Sequence, residues 1–447
     1  MKKYNTYKVS GVEWIEEIPE HWDIKPLKST TDGNSSSFMD GDWIESPVIT
    51  DDGIRYLTTG NVGVINYKEQ GNGYISEQTF NDLKCSEVFP GDILISRLNL
   101  PLSRCCLVPE LGKRIVTAVD NVIYRPDSQC HDKRYMVYLL NSARYAEYVG
   151  TLGRGTTMKR ISRSTLATIK VCVPPLSEQQ TIASYLDRKV GQIDASVSAI
   201  NTQIDDLKAY RMSVISEAVT KGLNPNVTMK DSGVEWIGEI PEGWEITKLA
   251  WAFPNMGSGT TPDSNNLQYY VEEGYNWLQT GDLTDGAIVS TSKHLSQIAI
   301  EEKRMRFYPI GSIVIAMYGA TIGKLGYLEI ETSTNQACCV LPPQENRDNK
   351  FMFYVMLSSK STLISKSIGG GQPNISQAII QEHRIPVPPL SEQQAIATYL
   401  CSKTAKIDAA IASLELQRDD LNALKQSIIS EAVTGKIDVR DWKNDEQ

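Results

Sequence analysis

The chain is 447 residues long, 41% hydrophobic and 22% charged, with 45 Lys+Arg against 54 Asp+Glu for a formal net charge of −9. This composition suits two or three globular domains. No apolar run reaches the ~20 residues of a membrane-spanning helix, and no apolar stretch follows the lysines of Met1–Asn5, so neither a membrane protein nor a secretory signal is expected. The cysteines (Cys85, Cys105, Cys106, Cys130, Cys172, Cys338, Cys339, Cys401) form no C-x-x-C pair, and His21, His131, His294 and His383 are scattered. Free thiols in a reducing cytoplasm, with no structural metal, are the expectation.

In chain order, an acidic stretch (net −7 over residues 1–83) is followed by a basic one (+7 over 84–170). Val88–Ser96 reads as a turn feeding a buried strand, Tyr135–Tyr148 has helical periodicity, and Gly153–Arg160 is a Gly/Thr loop. A long helical block occupies 174–220. The same order then returns: acidic (−9 over 231–292), basic (+3 over 293–385), a turn and strand at 307–316, helical periodicity at 350–367, a glycine loop at 369–374 and a second long block at 388–434. A basic surface in each half suits a polyanion despite the negative total.

The order repeats because the chain is duplicated. Pro174-Pro175-Leu176-Ser177-Glu178-Gln179-Gln180 recurs at Pro388–Gln394, and the register holds without a gap to Thr220 and Thr434, with 27 of 47 positions identical. Upstream, Ser10–Ile15, Ile18-Pro19-Glu20 and Trp22 return as Ser232–Ile237, Ile240-Pro241-Glu242 and Trp244. Between these anchors the copies diverge. Such a period lies outside the range of solenoid repeats and indicates domain duplication.

Each matched block reads as one helix. Ser177-x-x-Gln180 and Ser391-x-x-Gln394 predict capping boxes, and Gly222 and Gly435 are placed to end the helices. Ile193, Val197, Ile200, Ile204, Leu207 and Val214 in the first, and Ile407, Ile411, Leu414, Leu421 and Ile428 in the second, follow a 4-3 spacing, interrupted by Arg211 and by Arg418 and Lys425. That is a two-helix coiled-coil seam. Antiparallel pairing of the two helices would place the variable blocks at opposite ends. From Ile193 to Ala218 such a seam is roughly 39 Å long, close to one turn of B-DNA at about 34–36 Å.

Signatures of catalysis are weak. Gly319–Leu325 resembles a phosphate loop but is one residue short and lacks the Ser/Thr after Lys324. Asp285, Glu301 and Lys303 fit a loose nuclease pattern with no counterpart in the first copy, and the Asn/Asp-Pro-Pro-aromatic motif of an amino-methyltransferase is absent. The expectation is a non-catalytic chain. The binding candidates are Arg97, Arg104, Lys113, Arg114, Arg154, Thr156, Thr157, Lys159, Arg160 and Arg163 in the first variable block, and Tyr318, Lys324, Gln372, Asn374 and Ser376 in the second. Arginine reads guanine bidentately, Asn and Gln suit adenine, and lysine holds phosphate. A stand-alone nuclease and a coiled-coil scaffold without DNA remain alternatives on these residues alone.

The paired Pro-Pro-Leu-Ser-Glu-Gln-Gln starts, the Ile-Ser-Glu-Ala-Val-Thr ends at 215 and 429, and the Gly-Val-Glu-Trp-Ile…Ile-Pro-Glu-x-Trp segments at 11–22 and 233–244 resemble the DNA specificity subunit of type I restriction–modification enzymes over essentially the whole chain. The resemblance implies a mixed α/β (α+β) fold with two globular target-recognition domains separated by an antiparallel two-helix coiled coil. The expected layout is 1–175 as the first recognition domain, 176–222 as a central helical region, 223–389 as linker and second recognition domain, 390–435 as a distal helical region and 436–447 as a tail. The implied partners are double-stranded DNA, two methyltransferase subunits and two restriction subunits. S-adenosylmethionine, ATP and Mg are expected on those partners, with no cofactor on this chain and a cytoplasmic location.

Overall fold

The computed structural model describes residues 2–369 and 373–442. Two long helices, Leu176–Lys221 (46 residues) and Leu390–Val433 (44 residues), dominate the mixed α/β fold. The described chain divides into two units. One is Met1–Asn201 with Leu416–Gln447, the other Thr202–Glu415. Each unit thus owns half of each long helix.

In the first unit the core strand Ile93–Ser96 is fully buried. It lies in a four-stranded antiparallel sheet between Asn121–Tyr124 and Cys105–Leu107, with Phe38–Asp40 beyond. Helices Lys133–Leu140 and Ala143–Leu152 cover the expected 135–148 segment. A three-stranded sheet has Ile54–Leu57 at its centre, between Tyr74–Ile75 and Ile115–Thr117. In the second unit Ile313–Ala316 is the equivalent buried strand, held between Cys338–Leu341 and Leu325–Leu328 in a five-stranded sheet. Helices Asn349–Ser358 and Lys360–Ser365 follow. A second five-stranded sheet, with Tyr275–Leu278 and Thr332–Thr334 parallel at its centre, is larger than its counterpart in the first unit.

The duplicated motifs make the same bonds in each unit. The indole Nε1 of Trp22 donates to Glu178 Oε1 (3.2 Å), and that of Trp244 to Glu392 Oε2 (3.0 Å). Trp14 Nε1 donates to the Lys170 carbonyl and Trp236 Nε1 to the Arg384 carbonyl, each at 3.2 Å. Gln179 Oε1 accepts from the Asp132 amide, and Gln393 Oε1 from the Asp348 amide, while their amide nitrogens donate to the carbonyls of Pro174 and Pro388 (2.8 Å each). A buried indole N–H or carboxylate without a partner is costly, which explains why tryptophan, Glu and Gln return together.

The expected capping boxes do not form as written. The helices begin at Leu176 and Leu390, so Ser177 and Ser391 lie inside the first turn. The first backbone acceptors are the carbonyls of Pro175 and Pro389, and the side chain that closes each end is Gln179 or Gln393, one residue before the predicted Gln180 and Gln394. At the other ends Gly222 (φ 75°) and Gly435 (φ 71°) stop the helices in the left-handed region. A Cβ on Gly435 would stand 2.4 Å from Pro19 Cδ, and one on Gly222 3.2 Å from Trp244 Cζ2. The end of the second helix therefore seats on the tryptophan motif of the first unit, and the end of the first helix on that of the second.

Within the first unit Asp194 pairs with Lys425 (2.7 Å), and further back along the first helix Tyr185 meets Trp442, beyond the end of the second. The two helix halves there run antiparallel. Within the second unit Arg211 pairs with Asp408 (2.8 Å) and Gly222 approaches Glu392, again antiparallel. Arg211 and Lys425, which interrupt the apolar spacing, are thus the cationic partners of cross-helix ion pairs, and a charged seam position of this kind fixes register. Arg418 instead pairs with Asp419 on its own helix. Ile193, Ile204, Ile407 and Ile428 are buried; Val197, Ile200, Leu207, Val214, Ile411, Leu414 and Leu421 are half-buried. Among the described residues no helix is long and apolar enough to cross a membrane.

Candidate nucleic-acid interface

The segment after each core strand carries the candidate surface. In the first unit the chain leaves Ser96 through Arg97 and Leu98. The Arg97 amide donates to the Asp120 carbonyl (2.8 Å) and its carbonyl accepts from the Ile161 amide (3.0 Å). Leu98 bridges Arg160, and Arg160 bridges Arg154, so the glycine loop 154–160 is pinned at its base beside the core strand. Gly155 (φ 103°) turns it, and a Cβ there would stand 2.6 Å from the Met158 carbonyl oxygen. The second unit repeats the arrangement. The Met317 amide donates to the Ala337 carbonyl, the Ile375 amide to the Met317 carbonyl, Tyr318 bridges Asn374, and Asn374 bridges Ile368. The two segments, expected from the sequence only as loops, are thus pinned beside the core strands by one recurrent set of backbone bonds at their described residues.

The ten candidates of the first block separate on inspection of their partners. Arg97 is buried; its guanidinium lies against Asp40 (Nε–Oδ1 3.1 Å) and donates to the carbonyls of Ile161 and Val119, and burial lowers its pKa. Arg104 spends its donors on the carbonyls of Val62, Thr59, Leu98 and Asn99, and burial lowers its pKa as well. Both arginines were expected to face a ligand and instead hold loops together, because five N–H donors are the most economical way to satisfy clustered carbonyls. Lys113 pairs with Asp52 (2.8 Å), and Arg114 with Glu77 and Glu87 (2.7 and 3.0 Å). These two join the acidic residues around the three-stranded sheet.

At the pinned loop, Arg160 is held by Asp120 and Arg163 by Asp40 (Nε–Oδ2 3.1 Å) and the Phe38 carbonyl. Lys159 Nζ reaches the Gly150 carbonyl at 3.5 Å. Arg154, Thr156 and Thr157 are exposed, and no side-chain partner accompanies them among the described residues. In the second unit Tyr318 and Lys324 are half-buried, and Asn374 is exposed on the bridge. Ser376 caps helix Gln377–Glu382 by accepting from the Ile379 amide. Gln372 lies outside the described residues. Sequence reasoning missed Asp40 and Asp120, which orient three of the arginines, since single aspartates distant in sequence from their partners give no motif. It also missed Leu100 and Met158, exposed apolar side chains (59% and 56%) on the same two loops.

The alternative sites do not assemble. Asp285 bonds Lys360 (2.6 Å) and the Leu325 amide, Glu301 bonds Gln297 on its own helix, and Lys303 lies over the Tyr269 ring. The three residues of the loose nuclease pattern are each engaged elsewhere. Among the described residues no cluster of three or more His, Cys, Asp or Glu is arranged to hold a metal ion.

Comparison with known proteins agrees with this picture. The model of the type I restriction modification DNA specificity domain matches residues 48–206 and again 241–414. A putative type I restriction enzyme MjaX specificity subunit of Methanocaldococcus jannaschii is 26% identical over 441 residues, covering 95% of this chain and 96% of its own length. The MjaVIII specificity subunit of the same organism is 28% identical over 342 residues, 74% of this chain and 76% of that protein. A solved chain from work on complex assembly and conformational transition of the type I R-M system aligns over 94% of this chain and 99% of its own at TM-score 0.69 and 16% identity, a likeness of fold. The matched domain occurs twice and fills most of the sequence, with divergent loops on a repeated frame. The chain belongs to the type I restriction–modification DNA specificity subunits, the non-catalytic DNA-recognition components of those enzymes.

Proposed function

We propose that the chain reads a bipartite, asymmetric DNA target, one half-site with each recognition domain, and docks the subunits that carry the chemistry. The recognition domains are 1–175 and, with its linker, 223–389. The central region 176–222 and the distal region 390–435 form the shared spacer and present surfaces to two methyltransferase subunits, through which two restriction subunits join; 436–447 is a tail. The seam residues from Ile193 to Val214 and from Ile407 to Ile428 set the spacing between the half-sites. S-adenosylmethionine, ATP and Mg act on the partners, in the cytoplasm. The observation that carries the reading is that one loop geometry recurs while its side chains differ: Leu98, Arg154 and Arg160 in one copy, Tyr318, Ile368 and Asn374 in the other. Two unlike loops on one frame suit two unlike half-sites. In the first domain Arg154, Thr156 and Thr157 face DNA with Lys159, Arg160 and Arg163 beside them; in the second the surface comprises Tyr318, Lys324, Gln372, Asn374 and Ser376.

The test is a genome-wide map of methylated adenines in cells with and without this chain. A split motif that vanishes on deletion supports the proposal; identical maps overturn it. For the purified chain the expectation is weak, salt-sensitive duplex binding that becomes tight and specific once methyltransferase subunits are added.

A further inference from the structure

Base reading by arginine needs both arms of the guanidinium fork free to meet O6 and N7 of guanine in the major groove. An arginine whose donors are committed to protein carboxylates and carbonyls cannot offer that fork without giving up those bonds. Applied to the arginines at the first unit's pinned loop and the core strand beside it, this criterion leaves one. Arg97 and Arg104 are locked into carbonyl clusters. Arg160 and Arg163 are held by Asp120 and Asp40. Arg154 is exposed, and its guanidinium has no hydrogen-bond or ion-pair partner among the described residues.

Its backbone, by contrast, is fixed. The Arg154 amide donates to the Arg160 carbonyl (2.9 Å) and the Arg160 amide donates back (2.8 Å), closing a short antiparallel bridge. The residue before it is close-packed, since a Cβ on Gly153 would stand 2.5 Å from Leu102 Cδ1, and Gly155 after it holds a turn that only glycine adopts without strain. The rigid stem spares the cost of ordering the loop backbone on binding, while the uncommitted fork keeps its donors for the base.

We infer that Arg154 is the specificity-determining residue of the first recognition domain and reads the guanine of a G·C pair, while Arg160 and Arg163 position the loop and face the phosphates. The inference rests on the DNA-reading proposal and adds a base identity to one of its half-sites. Thr156 and Thr157, on the same turn, adjoin the neighbouring base pair.

The experiment uses the full chain assembled with its methyltransferase subunits and a panel of duplexes in which each base pair of the methylated target is replaced in turn. Binding of the unaltered complex is compared with Arg154→Ala, Arg154→Lys and Arg163→Lys. The expected result is that both Arg154 variants lose the penalty at one G·C pair of one half-site, from roughly 5- to 100-fold down to within about twofold. Penalties in the other half-site stay as they were. Arg154→Lys keeps the charge, so its loss of discrimination separates base reading from phosphate attraction. Arg163→Lys should weaken all duplexes alike. An unchanged profile for Arg154→Lys, or a uniform loss across the panel, overturns the assignment of Arg154. An unaltered complex with no penalties at any position overturns the DNA-reading proposal instead.

Discussion

The first and second units share a frame and differ in what the frame displays. Trp22 and Trp244, Glu178 and Glu392, and Gln179 and Gln393 make matching bonds, and the core strands Ile93–Ser96 and Ile313–Ala316 are equally buried. At the pinned loops the match ends. The first carries Arg154 and Arg160, the latter held by Asp120, and the second Ile368 and Asn374 with Tyr318 alongside. Identity thus concentrates where a side chain bonds the frame, and divergence where it meets solvent. A duplicated protein that must recognise two different things keeps the first set and frees the second.

The comparison can be broken most forcefully at the tryptophans. Trp22→Ala and Trp244→Ala should each cost about 3–5 kcal/mol in urea unfolding. Loss from one alone would show that the two frames are not equivalent. Trp43→Ala, at a residue 68% exposed, is the control and should change little. Next comes the contrast between buried and free cations. Arg97→Ala removes the bonds of a buried guanidinium to Asp40 and to the Ile161 and Val119 carbonyls and should destabilise by about 2 kcal/mol, whereas Arg154→Ala should leave thermal stability within about 0.5 kcal/mol. Equal effects would undo the sorting of framework from reading residues.

A further difference is chemical. His383 is buried against Trp236 (ring centroids 5.5 Å apart) with both ring nitrogens unpartnered, and it stands where the matched register has Ile169 in the first copy. Burial, reinforced by Lys366, lowers its pKa to about 4. The folded state therefore favours the neutral ring. Its contribution is complete above the ordinary histidine pKa of about 6.5 and is lost as the pH falls toward 4, up to about 3 kcal/mol. His383→Ile should flatten the stability of the second unit over that window, measured by denaturation at stepped pH; an unaltered acid slope would refute the assignment. The smallest expected effect concerns the cross-helix pairs. Double-mutant cycles on Asp194/Lys425 and Asp408/Arg211 should each return about 1 kcal/mol, since both pairs are partly exposed. Coupling in only one pair would show that the register devices are not duplicated.

Much of the frame was legible in the sequence because it repeats. The duplicated tryptophan segments, the long helices with Gly222 and Gly435 beyond them, and the strand at Ile93–Ser96 follow from motif and periodicity. The cap was displaced because tertiary contact outranks the local signal: Gln179 is drawn to Asp132 and Pro174, and the helix starts on the second proline's carbonyl instead. Arg211 and Lys425 read as breaks in a seam because a one-dimensional pattern does not show Asp408 and Asp194 on the neighbouring helix. The candidate surface was legible as a set of loops and not as a set of roles. Whether an arginine is spent or free depends on Asp40, Asp120 and carbonyls far away in sequence.

The seating of the second long helix has a consequence for synthesis. The first unit's core includes Ile428, Ile429, Ala432, Val433, Ile437 and Val439, and Gly435 packs under Pro19 and Trp22. The second unit is a continuous stretch of chain, Thr202–Glu415. On the ribosome, the domain made first must wait, its hydrophobic face open, for residues that emerge last, while the later domain can fold as soon as it is released. A stop codon near residue 420 would therefore injure the beginning of the protein more than its middle.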